Sequence, residues 1–325
     1  MFRPTLVALA VLAAPAFAGI KDAVDTHVLP ALDEFASASA DLAAAAEDDC
    51  SAQALRPAYQ VAFDAWMGIS HLRFGPMEQN GRALAIALWP DERGMVRDTV
   101  DRMLDDEDPI AADPNAFADV SIAGRGLFAL ERLIYETDYA EGSYACTYAQ
   151  AVTSDLSRMA KALRSDWRDN YTTAISGAGE EGNTVFLSQD EPAQAFYTAL
   201  TTGLEFIADQ RLGRPLGTFD RPRPERAEAR RSDRSLRNVV LSLQATHDLA
   251  TALADVPTPN TDAAFAAALE QADGIDPLLA DVTDPAGRLG VEILQQRVGA
   301  ILPAIANEIG VPLGVSAGFN ASDGD

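Results

Sequence analysis

Apolar residues recur at helical spacing along most of the chain, and almost no stretch alternates as a β-strand does. This pattern predicts an all-α fold. In the first half, the clearest helical stretches run from Ile20 to about Ala46, from Ser51 to Arg73 and from Cys146 to about Thr173. Further helices are expected around residue 131 and, in the second half, at 193–211, 233–253, 261–272 and 288–309.

Two loop-like stretches interrupt the helical pattern. Residues 106–116 are rich in Asp, Glu and Pro, and residues 176–192 are rich in Gly and Glu. Such compositions indicate loops, and the second one lies near the middle of the chain. We therefore expect it to connect an N-terminal helical bundle, residues 19–175, to a C-terminal helical bundle, residues 193–325.

The second bundle repeats features of the first. In each, a long helix ends in a turn that contains Gly and Pro, at 75–76 and at 212–217. A later helix then opens at 234–235 much as one opens at 125–126. This repetition predicts a degenerate internal duplication, although any two amphipathic helices share part of such a pattern.

Residues 1–18 have the organisation of a cleavable signal peptide. Arg3 gives a short positive start, residues 6–12 are apolar, and residues 16–18 form a small-x-small cleavage site. The apolar run is shorter than the roughly 20 residues that a membrane-spanning helix needs, and no other stretch qualifies. The sequence therefore predicts a soluble, exported protein.

The chain is strongly acidic, with a net charge of −24. Nucleic acids and anionic lipid surfaces are polyanions, so the overall charge argues against both as partners. The charge fits a surface that attracts cations, and it fits a salt-tolerant surface as well.

The two cysteines of the sequence are Cys50 and Cys146. In an oxidising, exported setting two cysteines often pair, and both positions lie near predicted helix ends that can meet. We expect one disulfide, the alternative being two unrelated thiols.

A single carboxylate interrupts an apolar helical stripe in the middle of the first bundle. Glu131 has Leu127 and Phe128 one turn before it and Ile134 and Tyr135 one turn after it. Glutamate is rarely buried without a partner, so Glu131 either reaches water at a rim or meets a cation, a ligand or a catalytic group.

Residues 126–131 resemble the Gly-x-His-x-x-Glu signature of the imelysin-like family, which is proposed to bind metal. Gly126 and Glu131 match this signature, but Phe128 stands where the family has histidine. The chain is therefore identified as an atypical member of the family with an altered central motif.

Two further segments are similar to the family pattern. Residues 66–91 contain a helix, a Gly-Pro turn and the sequence Trp89-Pro90-Asp91, and residues 318–325 read Gly-Phe-Asn-Ala-Ser-Asp-Gly-Asp. The resemblance covers about residues 50–325. It implies two helical bundles that face each other across a cleft.

The resemblance also implies a function. It suggests a periplasmic, non-catalytic binding protein of the cell envelope, connected with the uptake of iron or another divalent metal, which holds a small ligand or an envelope protein at the cleft. The alternative is a metallopeptidase of the imelysin type, but the motif histidine is absent and no His-Glu-x-x-His sequence occurs. A third hypothesis is a purely structural interaction protein of the envelope.

Polar residues at or near Gly, Pro or Trp in the turns are the candidates for the cleft, since such residues can converge between helices. Glu131 is the candidate metal ligand, with His71 as a second one. If no metal is bound, Glu131 should pair with an arginine, Arg73 or Arg214, or have a raised pKa. The predicted cleft residues are Arg73, Asn80, Arg82, Asp91, Glu131, Arg214, Ser235, Asn320 and Asp323.

Overall fold

A computed structural model describes residues 17–316 of the chain. Most of these residues are helical, and the sole extended pairing within them is an isolated bridge between Thr218 and Arg221. The all-α prediction is thereby confirmed. Residues 1–16, with most of the predicted signal peptide, lie outside the described range, as do the predicted cleft residues Asn320 and Asp323.

In the first half of the chain, long helices alternate with short ones that shape the turns. The opening helix runs without a break from Phe17 to Asp48 through a π-helical segment at Ala23–Val28. The α-helices are α1 (Phe17–Asp22), α2 (Leu29–Asp48), α3 (Ala52–Ile69), α4 (Arg82–Ile86), α5 (Met95–Asp106), α6 (Gly126–Glu136), α7 (Tyr144–Ser165) and α8 (Thr172–Ser176).

The second half has the same character. Its first long helix continues through a π-helical segment, Phe206–Leu212, and its last one through another, Ala306–Gly310. The α-helices are α9 (Glu191–Glu205), α10 (Gly213–Leu216), α11 (Ser235–Leu253), α12 (Pro259–Ala272), α13 (Pro285–Ile305) and α14 (Val311–Leu313).

Helix α5 was not among the helices expected from the sequence. Its buried residues are Val96, Val100 and Met103, one per turn, and most of its other positions are charged. A single apolar residue per turn gives a weak periodic signal, so the pattern was missed. The expected loop at 106–116 begins where this helix ends.

The two halves share one continuous apolar core. In the first half, α2 packs against α3 and α7, and α6 packs against α3 and α7 as well. In the second half, α13 packs against α12 and α9. The halves meet where α11 lies on α3, and the opening turns of the chain, α1 and the π-helical segment after it, also lie on α11.

A fully buried arginine joins the halves at the α3–α11 contact. Arg234 is 0% exposed and its guanidinium lies 4.6 Å from the ring centre of Phe63. It donates to the carboxylate of Asp64 at 2.6 Å and to the backbone carbonyl of Gln60 at 3.1 Å. The start of α11 is therefore fixed against the middle of α3.

None of the helices within residues 17–316 combines the length and the apolar character needed to cross a membrane.

The predicted disulfide is present. Cys50, in the turn after α2, is bonded to Cys146, in the first turn of α7, with their Cα atoms 5.3 Å apart. The bond closes a loop of 96 residues and joins two elements that already pack together.

Replacing both cysteines by serine is expected to lower the free energy of unfolding by about 4–5 kcal/mol, because the unfolded chain loses a long closed loop. Urea denaturation of the variant and of the oxidised wild type measures this difference. Reduced wild type should match the variant, and a loss below about 1 kcal/mol would contradict the expectation.

Candidate functional site

The glycine of the family-like motif is required by close backbone packing. Gly126 begins α6 with φ +68°, in the left-handed region that favours glycine. A Cβ atom there would lie 2.2 Å from the carbonyl oxygen of Ala85 and 2.3 Å from that of Ile86. A side chain at this position would therefore push α6 away from the end of α4.

Phe128, at the position of the family histidine, is a buried apolar residue. It is 7% exposed and its ring packs edge-to-face on Phe63, with the ring centres 5.6 Å apart. The side chain has no donor or acceptor atom, so it can offer a ligand only van der Waals and ring contacts.

Glu131 is buried and is held by the turn that precedes α11. It is 1% exposed, and one carboxylate oxygen accepts hydrogen bonds from the backbone N–H of Ser232 at 3.1 Å and from its hydroxyl at 2.7 Å. The nearest cation is Arg231, whose Nη1 lies 3.8 Å from the other oxygen. Burial raises the pKa of Glu131, as expected for a carboxylate so far from water.

The expected pairing of Glu131 with Arg73 or Arg214 is wrong. The face of α6 that carries Glu131 lies against residues 230–232, so Arg231 and Ser232 are its partners. The raised pKa, which was the other alternative, is what the structure gives.

A cavity of about 200 Å³ opens beside Phe128, next to residues 88–97, which end in the first turn of α5, and residues 224–231. Phe128, Trp89 and five arginines are among its lining residues. We call it the arginine pocket and define it by its five arginines, Arg97, Arg132, Arg214, Arg226 and Arg231.

Two of these guanidinium groups keep donors that no carboxylate occupies. Arg214 pairs at 2.9 Å with Glu92, whose side chain is 70% exposed, and the buried Nε of Arg214 has no hydrogen-bond partner among residues 17–316. Within the same range Arg226 forms no salt bridge. Donor groups of this pocket therefore remain available to a ligand.

The two carboxylates that line the arginine pocket are occupied elsewhere. Asp91 accepts hydrogen bonds from the backbone N–H groups of Met95 and Val96 at 2.9 and 2.8 Å, and so caps the start of α5. Glu225 lies 3.5 Å from the guanidinium of Arg223. Carboxylates outside the lining pair with three of the arginines, Arg97 with Asp98, Arg132 with Asp101 and Glu136, and Arg231 with Glu136. Arg214 and Arg226 therefore carry the donors that remain for a ligand.

The structure divides the predicted cleft residues between several places. Asp91 and Arg214 line the arginine pocket, whereas Arg73 lines a different cavity. Arg82 pairs with Asp166 at 2.7 Å and donates to a backbone carbonyl. Asn80 is exposed in a left-handed turn, and Ser235 is buried in the first turn of α11.

The arginines that the sequence reading missed lie mostly in one charged segment. Arg226 and Arg231 belong to residues 221–231, where five arginines occur in an otherwise acidic chain. This cluster of arginines in an acidic chain could have identified Arg226 and Arg231 as candidates. It does not show that α5 and α6 bring Arg97 and Arg132 to the same cavity.

The two predicted metal ligands have separate partners, since Glu131 is held by Ser232 and His71 by His27. In the described part of the chain, no group of three His, Cys, Asp or Glu side chains is close enough together to hold a metal ion.

His27 and His71 form a buried pair. Their Nε2 atoms lie 3.1 Å apart, so one ring donates a hydrogen bond to the other. Burial lowers the pKa of His27 to about 4. Burial also lowers the pKa of His71 well below its ordinary range, with added repulsion from His27, Arg211 and Arg73. Both rings are therefore neutral at pH 7.

We expect the protein to lose stability as the pH falls from about 6.5 towards 4, because both histidines bind protons in the unfolded chain at a pH where they stay neutral in the folded protein. The lowering of the His27 pKa to about 4 corresponds to about 3 kcal/mol of the free energy of unfolding at pH 7. Urea denaturation between pH 7 and pH 4.5 tests this.

His27→Gln keeps a donor for His71 but does not titrate, so it serves as the comparison for the pH series. The carboxylates titrate alike in both proteins. The stability difference between wild type and variant should therefore change with pH, and parallel pH curves would refute the expectation.

The chain belongs to the imelysin family, Peptidase_M75, whose family model matches residues 28–304. The fold is similar to that of a solved imelysin-like protein from Psychrobacter arcticum 273-4, with a TM-score of 0.77 and 21% identity over 97% of this chain and 100% of that one. Among curated proteins, no significant match to the sequence is found.

Wild-type protein is expected to bind Zn²⁺ no better than a Glu131→Gln variant, because Phe128 supplies no nitrogen ligand and Ser232 already holds the carboxylate. Phe128→His should create or improve zinc binding, since His and Glu can ligate a divalent metal together. Calorimetric titration with zinc chloride tests both variants. Tight stoichiometric binding by wild type that Glu131→Gln abolishes would contradict this.

Proposed function

We propose that the protein is a non-catalytic binding protein of the cell envelope that holds a small anionic ligand in the arginine pocket. The observation that carries this proposal is the pocket itself, which five arginines line beside Phe128 and Trp89. Among these arginines, Arg214 keeps an unbonded Nε and Arg226 forms no salt bridge within residues 17–316. Export to the periplasm is the part of the proposal that depends on the signal-like sequence of residues 1–18.

An anion suits this pocket better than a bare metal ion does. Guanidinium groups bind carboxylate and phosphate oxygens through two parallel hydrogen bonds, and they repel cations. Phe128 offers a metal no ligand, and Asp91 is occupied by the backbone of α5. If the protein is connected with iron or another metal, we therefore expect it to bind the metal as a negatively charged chelate.

The alternative function, a metallopeptidase, needs a metal held by protein side chains. Glu131 has its better-placed oxygen in hydrogen bonds to Ser232, and the motif histidine is replaced. A purely structural role would leave the buried Nε of Arg214 without a hydrogen-bond partner.

Titration calorimetry with citrate, ferric citrate and inorganic phosphate tests the proposal. At least one of these anions should bind the wild type, and Arg214→Gln/Arg226→Gln should weaken it by about tenfold or more, as expected for lost charge-assisted hydrogen bonds. Arg93→Gln is the matched control, because this arginine is exposed and does not line the pocket.

Equal affinities in the double variant and the wild type would overturn the proposal, and so would the absence of binding by all three anions. Hydrolysis of a protein substrate that depends on added zinc would instead support the metallopeptidase alternative.

A further inference from the structure

A second cavity lies between the halves of the chain. Its volume is about 360 Å³, and it is lined by α9, α11, the π-helical segment Phe206–Leu212 and the end of α3. We call it the inner chamber and define it by three residues, His71, Arg73 and Arg211. Arg73, Thr202 and Phe206 are half-buried, so the chamber reaches solvent.

The inner chamber is separate from the arginine pocket, because the two cavities share no lining residue. An aromatic contact stands between them. Trp89 lines the arginine pocket, Phe206 lines the chamber, and their rings pack edge-to-face with centres 5.8 Å apart.

The inner chamber carries two guanidinium groups, and within residues 17–316 only that of Arg211 forms a salt bridge. Nε of Arg211 donates to Glu228 at 2.7 Å, and both side chains are buried. Within residues 17–316 Arg73 makes one side-chain hydrogen bond, from Nε to the carbonyl of Ser70 at 2.8 Å, and no salt bridge. The pKa of Arg73 is lowered to about 10 by burial and by repulsion from Arg211.

Three of the hydroxyl groups around the chamber offer acceptors rather than donors. Thr202, Ser242 and Thr246 donate to helix carbonyls one turn earlier, at 2.8, 2.7 and 2.8 Å. These hydroxyl groups can therefore only accept hydrogen bonds from a ligand, and the threonine methyl groups can contact it. Thr198 also lines the chamber, and its hydroxyl oxygen accepts from Gln194 at 3.1 Å. The donors in the chamber are therefore the guanidinium groups, an imidazole N–H and the Thr198 hydroxyl.

The imidazole donor comes from the buried histidine pair. His71 Nδ1 is buried without a hydrogen-bond partner among the described residues, while Nε2 is engaged with His27. If His27 donates, His71 accepts at Nε2 and carries its proton on Nδ1. An anion in the chamber favours this tautomer, because it gives the anion a third donor.

We propose that the inner chamber is a second binding site, for a small organic carboxylate held by Arg73, Arg211 and His71. The two like-charged guanidinium groups would both bind the one carboxylate group of the ligand. The Phe206 ring and the threonine methyl groups would contact the carbon atoms of the ligand. This site does not depend on the ligand proposed for the arginine pocket.

Thermal denaturation with propionate and with propionamide tests this, in the Arg214→Gln/Arg226→Gln background so that the arginine pocket does not contribute. Propionate should raise the melting temperature, because a ligand that binds only the folded state stabilises it. Propionamide has nearly the same shape but no charge, so it should have little effect.

Arg73→Gln in that background should remove the propionate effect, with the dissociation constant raised about tenfold or more, and Arg73→Lys should retain part of it. Without ligand, Arg73→Gln should be as stable as its parent or more stable, since one of two repelling guanidinium groups is gone. Arg93→Gln is the control for lost charge.

Three results would overturn the proposal: equal stabilisation by propionamide, propionate binding that survives Arg73→Gln, or no stabilisation by propionate. If the second of these comes with a lower melting temperature of Arg73→Gln without ligand, Arg73 has a structural role instead. Phosphate that binds better than propionate would show an inorganic oxyanion site.

Discussion

The buried guanidinium of Arg234 is the contact on which the arrangement of the two halves depends. A charge with 0% exposure is costly unless it is paired and hydrogen-bonded. Here Asp64, the carbonyl of Gln60 and the face of Phe63 surround it, and among the described residues its Nε alone has no hydrogen-bond partner. These partners all belong to α3, whereas Arg234 directly precedes α11. Moving α11 along α3 would leave a buried charge unpaired, so the register between the halves is fixed.

This constraint explains the role of Glu131. Ala229 and Asp233 flank residues 230–232 with φ values of 46° and 59°, a conformation that non-glycine residues seldom adopt. Such a turn persists only when its surroundings hold it. Glu131 holds it at Ser232, and Arg234 holds it on the other side. The buried carboxylate therefore acts as an anchor for the turn that carries Arg231 into the arginine pocket.

The sequence was sufficient for features that depend on local pattern. The long helices, the disulfide between Cys50 and Cys146 and the altered motif at Phe128 could all be predicted from residue spacing and identity. What could not be predicted is which side chains meet across the chain. Glu131 was expected to meet Arg73 or Arg214, and it meets Ser232 because the packing of α11 on α3 brings residues 230–232 to α6.

The positive cavities and the acidic exterior act over different distances. A net charge of −24 repels an approaching anion, but at physiological salt that repulsion decays over a Debye length of about 8 Å. Inside a cavity, water is partly excluded and the guanidinium groups are near neighbours of the ligand, so their attraction is screened less. Such an arrangement disfavours loose association of anions with the surface. It favours an anion small enough to enter a cavity and shaped to meet several arginines at once.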